Sequence, residues 1–551
     1  MPYKKLNIKN GQILNETHLA HFEQGISENN TNIEEIQDKI KNIEDNGGNT
    51  SIVYPEQFGA VGDGVNDDGK ALQQALESGK PVYLTQDLYI KSRVRVINRD
   101  VVFDGRGYTL HCDGAALDFK DSADFIVFFP NSVDPDKADV KIYHEVPPHY
   151  KRYHRGWIEY KGRKPIPVDE VYDDYTVVGF MEHRVIVRNV TLSCKNFKGL
   201  CALTLRKMCH SLVDNVRAIM EDYTGTGSVG ILVDMNCFTT VRNCYGYGFT
   251  DDLSCNVTNR GYGVCVNGNS IIVDGCECWN NKHGICIAGN RDFWSTDIHV
   301  TNCTFGVIYN EDKRIDGSNR FQQVMDSHAG GLGLRFDNNT IIIRNAGTRG
   351  SPHAFLLSAP YVHCSGLEVL CDGAGCWATV SGLADKVYLD NVHGENLSLQ
   401  PGSLYEGSTE FHLNNCLFKR LQNSYDIYQR IYMTNCTVTQ LVDYIQWLKA
   451  DNCYFGHDIV WGSHACIRLL GEGIFNGCTI YGHNEGTISP TRSIIEAPED
   501  SIRMQGCYIY IRNGKYKVFN TNQPNAEYWT ENIFGFRLGT KNGVLDTNEL
   551  Y

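Results

Sequence analysis

One phrase recurs along this chain and leaves few folds open to it: an apolar residue, a spacer, Asn or Gly, then a small apolar residue. Its third position is Asn189, Asn215, Asn243, Gly275, Asn302, Asn338, Gly366, Asn391, Asn415, Asn435, Asn452, Gly477 and Gly506. That slot accepts only the two residues that most readily take positive φ, so each repeat turns through one left-handed residue. The strand before it alternates, with Phe411 and Leu413 or Ile431 and Met433 as apolar partners, a period of two that leaves no room for a helix. The densest copy is 263–303, where Gly263-Val264-Cys265-Val266 returns as Gly284-Ile285-Cys286-Ile287. Short strands, a left-handed corner and a spacing of 17–36 residues describe a parallel β-solenoid. At roughly 4.8 Å per strand step, thirteen coils would make a rod about 60 Å long. Leucine-rich repeats fit poorly, because no Leu-x-x-Leu-x-Leu phrase recurs.

The chain has 21 cysteines, which suggests a disulfide framework until the repeat is laid over them. Cys244, Cys276, Cys303, Cys416, Cys436, Cys453, Cys478 and Cys507 all follow the corner, in a slot filled elsewhere by Val190, Val216, Leu367 and Val392. A slot shared by Cys, Val and Leu wants a compact buried apolar group, so these read as stacked free thiols folded in a reducing cytoplasm. The odd total and the lack of paired CxxC spacings speak against metal and disulfides; no metal and no cofactor are expected. Fifty-one Lys and Arg against 65 Asp and Glu give a net charge of −14, which argues against nucleic acid as a partner. No apolar run reaches transmembrane length and MPYKKLNIKN has no signal-peptide core, so neither a membrane partner nor signal-led export is expected.

Residues 1–50 differ in kind. Leu19, Phe22, Ile26, Asn29, Ile33, Ile36, Ile40 and Ile43 are spaced 3-4-3-4-3-4-3, a heptad seam. Isoleucine at both a and d favours three or four strands over two, and Asn29 would fix register. The alternative is one amphipathic helix lying on the body. Glu44 to Ser51 (EDNGGNTS) reads as a linker.

The segment 58–68 (FGAVGDGVNDD), followed by 71–76 (ALQQAL), 82–84 (VYL) and 88–90 (LYI), resembles the start of the pectate-lyase-superfamily right-handed parallel β-helix, which is widespread in phage tailspikes and some polysaccharide-degrading enzymes. Physically, Asp63-Gly64 is a turn, Asp67 or Asp68 caps a helix, and Ala71, Leu72, Ala75 and Leu76 lay that helix over the open end of the solenoid. The opening 6–26 (LNIKNGQILNETHLAHFEQGI) is similar to N-terminal segments of tail and baseplate proteins of phages of Gram-positive bacteria. Together these imply a homotrimeric tailspike in the virion tail. It would be held by a phage tail or baseplate protein at its N-terminus and would recognise or cut a bacterial cell-surface glycan. The expected layout is an attachment segment and coiled coil at 1–50, a lead-in with its capping helix at 51–100, the all-β helix at 101–510 and a C-terminal cap at 511–551. Tyr528, Trp529, Phe534 and Phe536 would supply the cap's apolar content.

An insertion over about 131–176 interrupts the repeat. Within 141–164 it carries Lys141, Lys151, Arg152, Arg155, Lys161, Arg163 and Lys164 against Glu145 and Glu159 alone, with Tyr153 and Trp157 among its aromatics. Aromatic faces with cationic donors suit an anionic sugar; a solvated loop or a subunit contact suits them equally.

Insertions in repeat proteins gather on a face that often binds. The longest intervals here are Asn243 to Gly275, holding Asp251-Asp252, and Asn302 to Asn338, holding 311–316 (EDKRID) and Asp326-Ser327-His328. Aligning strands places Asp234 outward beside Asn267. The order Asp234, Asp251-Asp252, His283-Gly284, Arg314-Ile315 resembles the polygalacturonase order Asn-Thr-Asp, Asp-Asp, Gly-His-Gly, Arg-Ile-Lys. It departs from that order at Val233, Lys282 and Asp316. The resemblance implies Asp234, Asp251 and Asp252 as carboxylates, His283 as an orienting or relay group, and Arg314, Trp294 and Asn267 as sugar contacts. An inverting glycosidase needs two carboxyls roughly 6.5–9.5 Å apart, which adjacent coils can supply. Two alternatives stand beside hydrolysis. A polysaccharide lyase would abstract a proton next to a uronate with a basic residue. A non-catalytic receptor-binding spike would hold glycan on outer aromatics such as Trp279, Trp294, Trp377 and Trp461.

Overall fold

The computed structural model describes residues 52–121 and most of 183–512. It also describes strands at 127–128, 140–143, 156–160, 163–168, 176–177, 515–520, 528–531 and 544–546. The chain divides into two compact units at residues 53/54. The heptad seam at 19–43 belongs to the first and lies outside the described residues.

The second unit winds as a parallel β-helix of three strands per coil. Thr409–Asn414 shows the rule: it pairs in parallel with Lys386–Asp390 one coil back and Gln429–Thr434 one coil on, with Phe411 opposite Val387 and Ile431. After Asn415 the chain enters a second sheet, where Leu417 pairs with His393, and then a third, where Leu421 pairs with Leu397. The inward rows are fully buried, and Phe305, Phe336, Phe355, Phe411, Phe455 and Phe475 are its largest fillers.

All thirteen corner positions have φ between +52° and +60°. An L-residue pays about 1–2 kcal/mol in that region, and Asn offsets part of it with side-chain hydrogen bonds. Asn215 Nδ2 donates to Asn189 Oδ1 at 3.0 Å and Asn415 Nδ2 to Asn391 Oδ1 at 2.5 Å, while Asn302 Nδ2 donates to Asp274 Oδ1 of the preceding coil at 2.9 Å. Asn thus supplies both the turn and a ladder along the rod; Gly supplies the turn alone.

The eight cysteines after the corner are buried and free. Their thiols are held by the backbone of neighbouring coils: Cys436 Sγ donates to Leu413 O at 3.3 Å, and Cys276 N–H donates to Cys303 Sγ at 3.3 Å. Burial pushes the Cys303 and Cys278 thiols far above their usual range, as befits apolar fillers. Cys371 is disulfide-bonded, which departs from the expectation of free thiols throughout; it stands in the second sheet, outside the corner slot.

The helix Gly69–Glu77 buries Ala71, Leu72, Ala75 and Leu76 against the strands Val94–Ile97 and Val101–Asp104. The expected turn is present, with Asp63 Oδ1 accepting the N–H of Val65 at 2.9 Å and of Asn66 at 2.8 Å. The two acids expected at the cap divide the work. Asp68 is the N-cap by position, yet its carboxylate ties the preceding loop to the first coil, accepting from Val61 N at 2.6 Å and Tyr89 N at 3.1 Å. Asp67 accepts the first helical N–H, from Gly69, at 3.0 Å.

Two coils, at 82–97 and 101–120, precede the first Asn corner. The insertion leaves the column intact, because Val101–Asp104 pairs directly with the start of Val185–Lys195. Inside the insertion, Val140–Tyr143, Gly156–Tyr160 and Arg163–Val168 form a three-stranded antiparallel sheet. At the other end parallel pairing runs on past 510: Lys515–Asn520 stacks on Ser493–Glu496 and Tyr528–Glu531 on Ile502–Gln505. An antiparallel strand, Val544–Asp546, then closes on Lys515–Asn520.

Candidate functional site

The outer side of the third sheet, over the coils with the longest intervals, carries the densest buried polar chemistry. The rows are set by register: Ile231, Val264, Ile285 and Met325 face inward in one line, so Leu232, Cys265, Cys286 and Asp326, the next line, face away from the core. Val229, Tyr262, Cys265 and Cys286 make a small apolar cluster of their own, with Leu232 and Ala288 against it.

At the edge of that cluster sit Lys282, His283 and Asp326, all nearly inaccessible. His283 Nδ1 lies 3.6 Å from Asp326 Oδ2, and the His283 ring leans on Tyr262 at 5.1 Å between centroids. Burial pushes the Asp326 carboxyl up to about 8, against the pull of the Lys282 ammonium. Asp326 is therefore held protonated at neutral pH, the state from which a general acid starts.

Asp234 does point outward, and Asn267 Nδ2 donates to its Oδ1 at 3.3 Å. Its other oxygen accepts from Arg206 Nε at 2.8 Å. Asn267 is buried and continues the chain of bonds, accepting from Ser295 Oγ at 3.1 Å. The structure separates Asp234 from Asp326. Asp234 lies two residues along from Leu232, and the row from Leu232 reaches Asp326 three strand steps later. At about 4.8 Å per step that is roughly 14 Å, beyond the spacing of an inverting pair.

Asp251, Asp252, Trp294, Arg314 and Tyr153 lie outside the described residues. Trp157 lies in the insertion's central strand, in register with Tyr143 on one side and Pro167 on the other. Among the described residues no group of three or more His, Cys, Asp or Glu is arranged to hold a metal, and no helix is long and apolar enough to cross a membrane. The sequence points to Asp326 without giving it a role. The available signal was its place, with Ser327 and His328, in the longest interval between corners.

No protein-family model and no curated protein matches the chain. Among solved structures it is similar to the tailspike of Pseudomonas phage LKA1, at 12% identity over 88% of this chain and 83% of that one, with a TM-score of 0.46. The pre-mature gene product 12 of bacteriophage phi29 aligns at 12% identity over 86% and 68%, TM-score 0.43. A tailspike of Acinetobacter baumannii phage AP22, solved with capsular saccharide, aligns at 10% over 88% and 79%, TM-score 0.37. At these identities the likeness concerns the fold.

Proposed function

We propose that this chain is one subunit of a homotrimeric phage tailspike, attached to the tail or baseplate through its N-terminus, that binds a bacterial surface polysaccharide and hydrolyses it. The observation that carries the catalytic part is the 3.6 Å approach of His283 to Asp326 in the third sheet, within the coils that hold the longest intervals of the repeat. In this reading Asp326 passes its proton to the glycosidic oxygen as the bond to the anomeric carbon breaks. His283 orients that carboxyl, and Asp251 or Asp252 takes a proton from the water whose hydroxyl adds to the sugar. The Arg206–Asp234–Asn267 row, with Trp294, Arg314, Tyr153 and Trp157, holds the chain of sugars.

A second reading, a spike that holds glycan without cutting it, is favoured by the double engagement of Asp234 and by the burial of His283 and Asp326. Asp326→Asn and His283→Ala decide between the two. Loss of reducing-end release with glycan binding retained supports hydrolysis at this pair. Undiminished cleavage by both variants removes the pair from the mechanism.

A further inference from the structure

The outer faces of the sheets differ in chemistry. The first sheet is laced with ion pairs: Arg188 Nε lies 2.8 Å from Asp104 Oδ2, Arg242 Nη2 lies 2.9 Å from Asp214 Oδ2, and Asp337 gathers Arg335 and His299. Its rings also cover one another, Tyr388 and Tyr432 stacking on the two sides of His412 at 4.7 and 4.8 Å.

The second sheet is different. Two places past the corner, one in-register row runs from Leu417 through Thr437, Tyr454 and Thr479 to Tyr508, five consecutive coils without a charge. Leu417 is 41% exposed, Tyr454 39% and Tyr508 42%, and earlier on the same face Leu370 is 47% exposed. Half of the exposed large apolar side chains among the described residues thus stand on this one face. The row runs along the rod for roughly 19 Å at about 4.8 Å per step.

Its shape and chemistry select an occupant. The heptad seam of isoleucines calls for three or four copies of the chain. In a ring of identical copies, residues lining the axis meet their own equivalents, so a charge there would face its own sign. For a chain of net charge −14, a stripe of Leu, Thr and Tyr is what that position tolerates.

We propose that the Leu417-to-Tyr508 row of the second sheet is the surface through which three copies of this chain pack about their common axis. This rests on the homotrimer reading above. The test uses the full chain with a photoreactive phenylalanine analogue at Leu417 or Thr437, and at Lys386 on the first sheet as a control, with the wild-type mass measured by light scattering. The expected result is a wild-type mass three times the 62.0 kDa subunit, with covalent dimers and trimers from Leu417 and Thr437 and none from Lys386. A trimeric wild type that cross-links from Lys386 and not from the row overturns this face alone. Cross-linking of the row to added polysaccharide in place of subunits assigns it to glycan and overturns it too. A monomeric wild type overturns the homotrimer reading and this inference with it.

Discussion

Asp326→Asn should make the protein harder to unfold at neutral pH and leave it unable to cut glycan. Burial lifts the Asp326 carboxyl to about 8 in the folded chain, against an ordinary value of 3.8. A folded-state value above the unfolded one means that the carboxyl costs nothing below pH 4 and that stability is lost as pH rises toward 8. Each unit of separation is worth about 1.4 kcal/mol, so by pH 7 ionisation in the unfolded state favours unfolding by about 4 kcal/mol. Asn fills nearly the same volume and does not ionise, so the variant escapes this loss. A rod of this size is compared by unfolding rate, because such chains unfold irreversibly. Rates in urea, measured for both proteins between pH 4.5 and 8, should coincide at the acid end and separate with pH, the variant unfolding more slowly at pH 8. Faster unfolding of the variant by a constant factor at every pH would refute the reasoning. It would mean an ionised carboxylate already stabilised by Lys282 and His283.

Three further outcomes follow from the same geometry. Asn415→Val places a β-branched residue at φ +53° and removes a ladder bond, so it should cost about 1–2 kcal/mol or more, whereas Asn415→Gly should stay within about 1 kcal/mol of wild type; urea unfolding rates check both. Asp337 is held down to about 2 despite burial, by His299 and Ser365 hydrogen bonds and the Arg335 charge, so its stabilisation is present at neutral pH and lost as pH falls from 4 toward 2. Asp337→Ala strands that network and should lower stability by about 3–5 kcal/mol at pH 7, with the gap to wild type closing in acid. Cys436→Val should fold with a change under about 1.5 kcal/mol, because Val fills the same slot at 190, 216 and 392. Cys436→Asp should yield no soluble rod.

Much of the fold is legible in the residues because the corner is a backbone requirement. Only Asn and Gly tolerate φ near +55° at low cost, so each coil leaves a mark at a fixed place relative to its strands. The coils without that mark were harder to read. Those at 82–97 and 101–120 were read from their resemblance to the start of a β-helix and not from the corner, and for the strands beyond 510 only pairing shows that they continue the column. Outward placement of Asp234 followed from alternation, a local rule. The His283–Asp326 pair did not follow from any local rule: Asp326 lies within the long interval from Asn302 to Asn338, whose length hides which of its residues returns opposite Cys286. The burial of Asp326 is equally a tertiary fact, since alternation next to inward-facing Met325 alone would have placed it on an exposed surface. The charge-free row of the second sheet was spelled out one residue per coil, at a spacing that makes no pattern until the coils are stacked.

The most direct measurement is incubation of the purified protein with surface polysaccharides of candidate bacterial hosts, following reducing ends together with absorbance near 235 nm, where unsaturated uronates absorb. The account predicts reducing ends without absorbance from wild type and neither signal from Asp326→Asn. Reducing ends accompanied by absorbance, or bound glycan that is never cut, would contradict it.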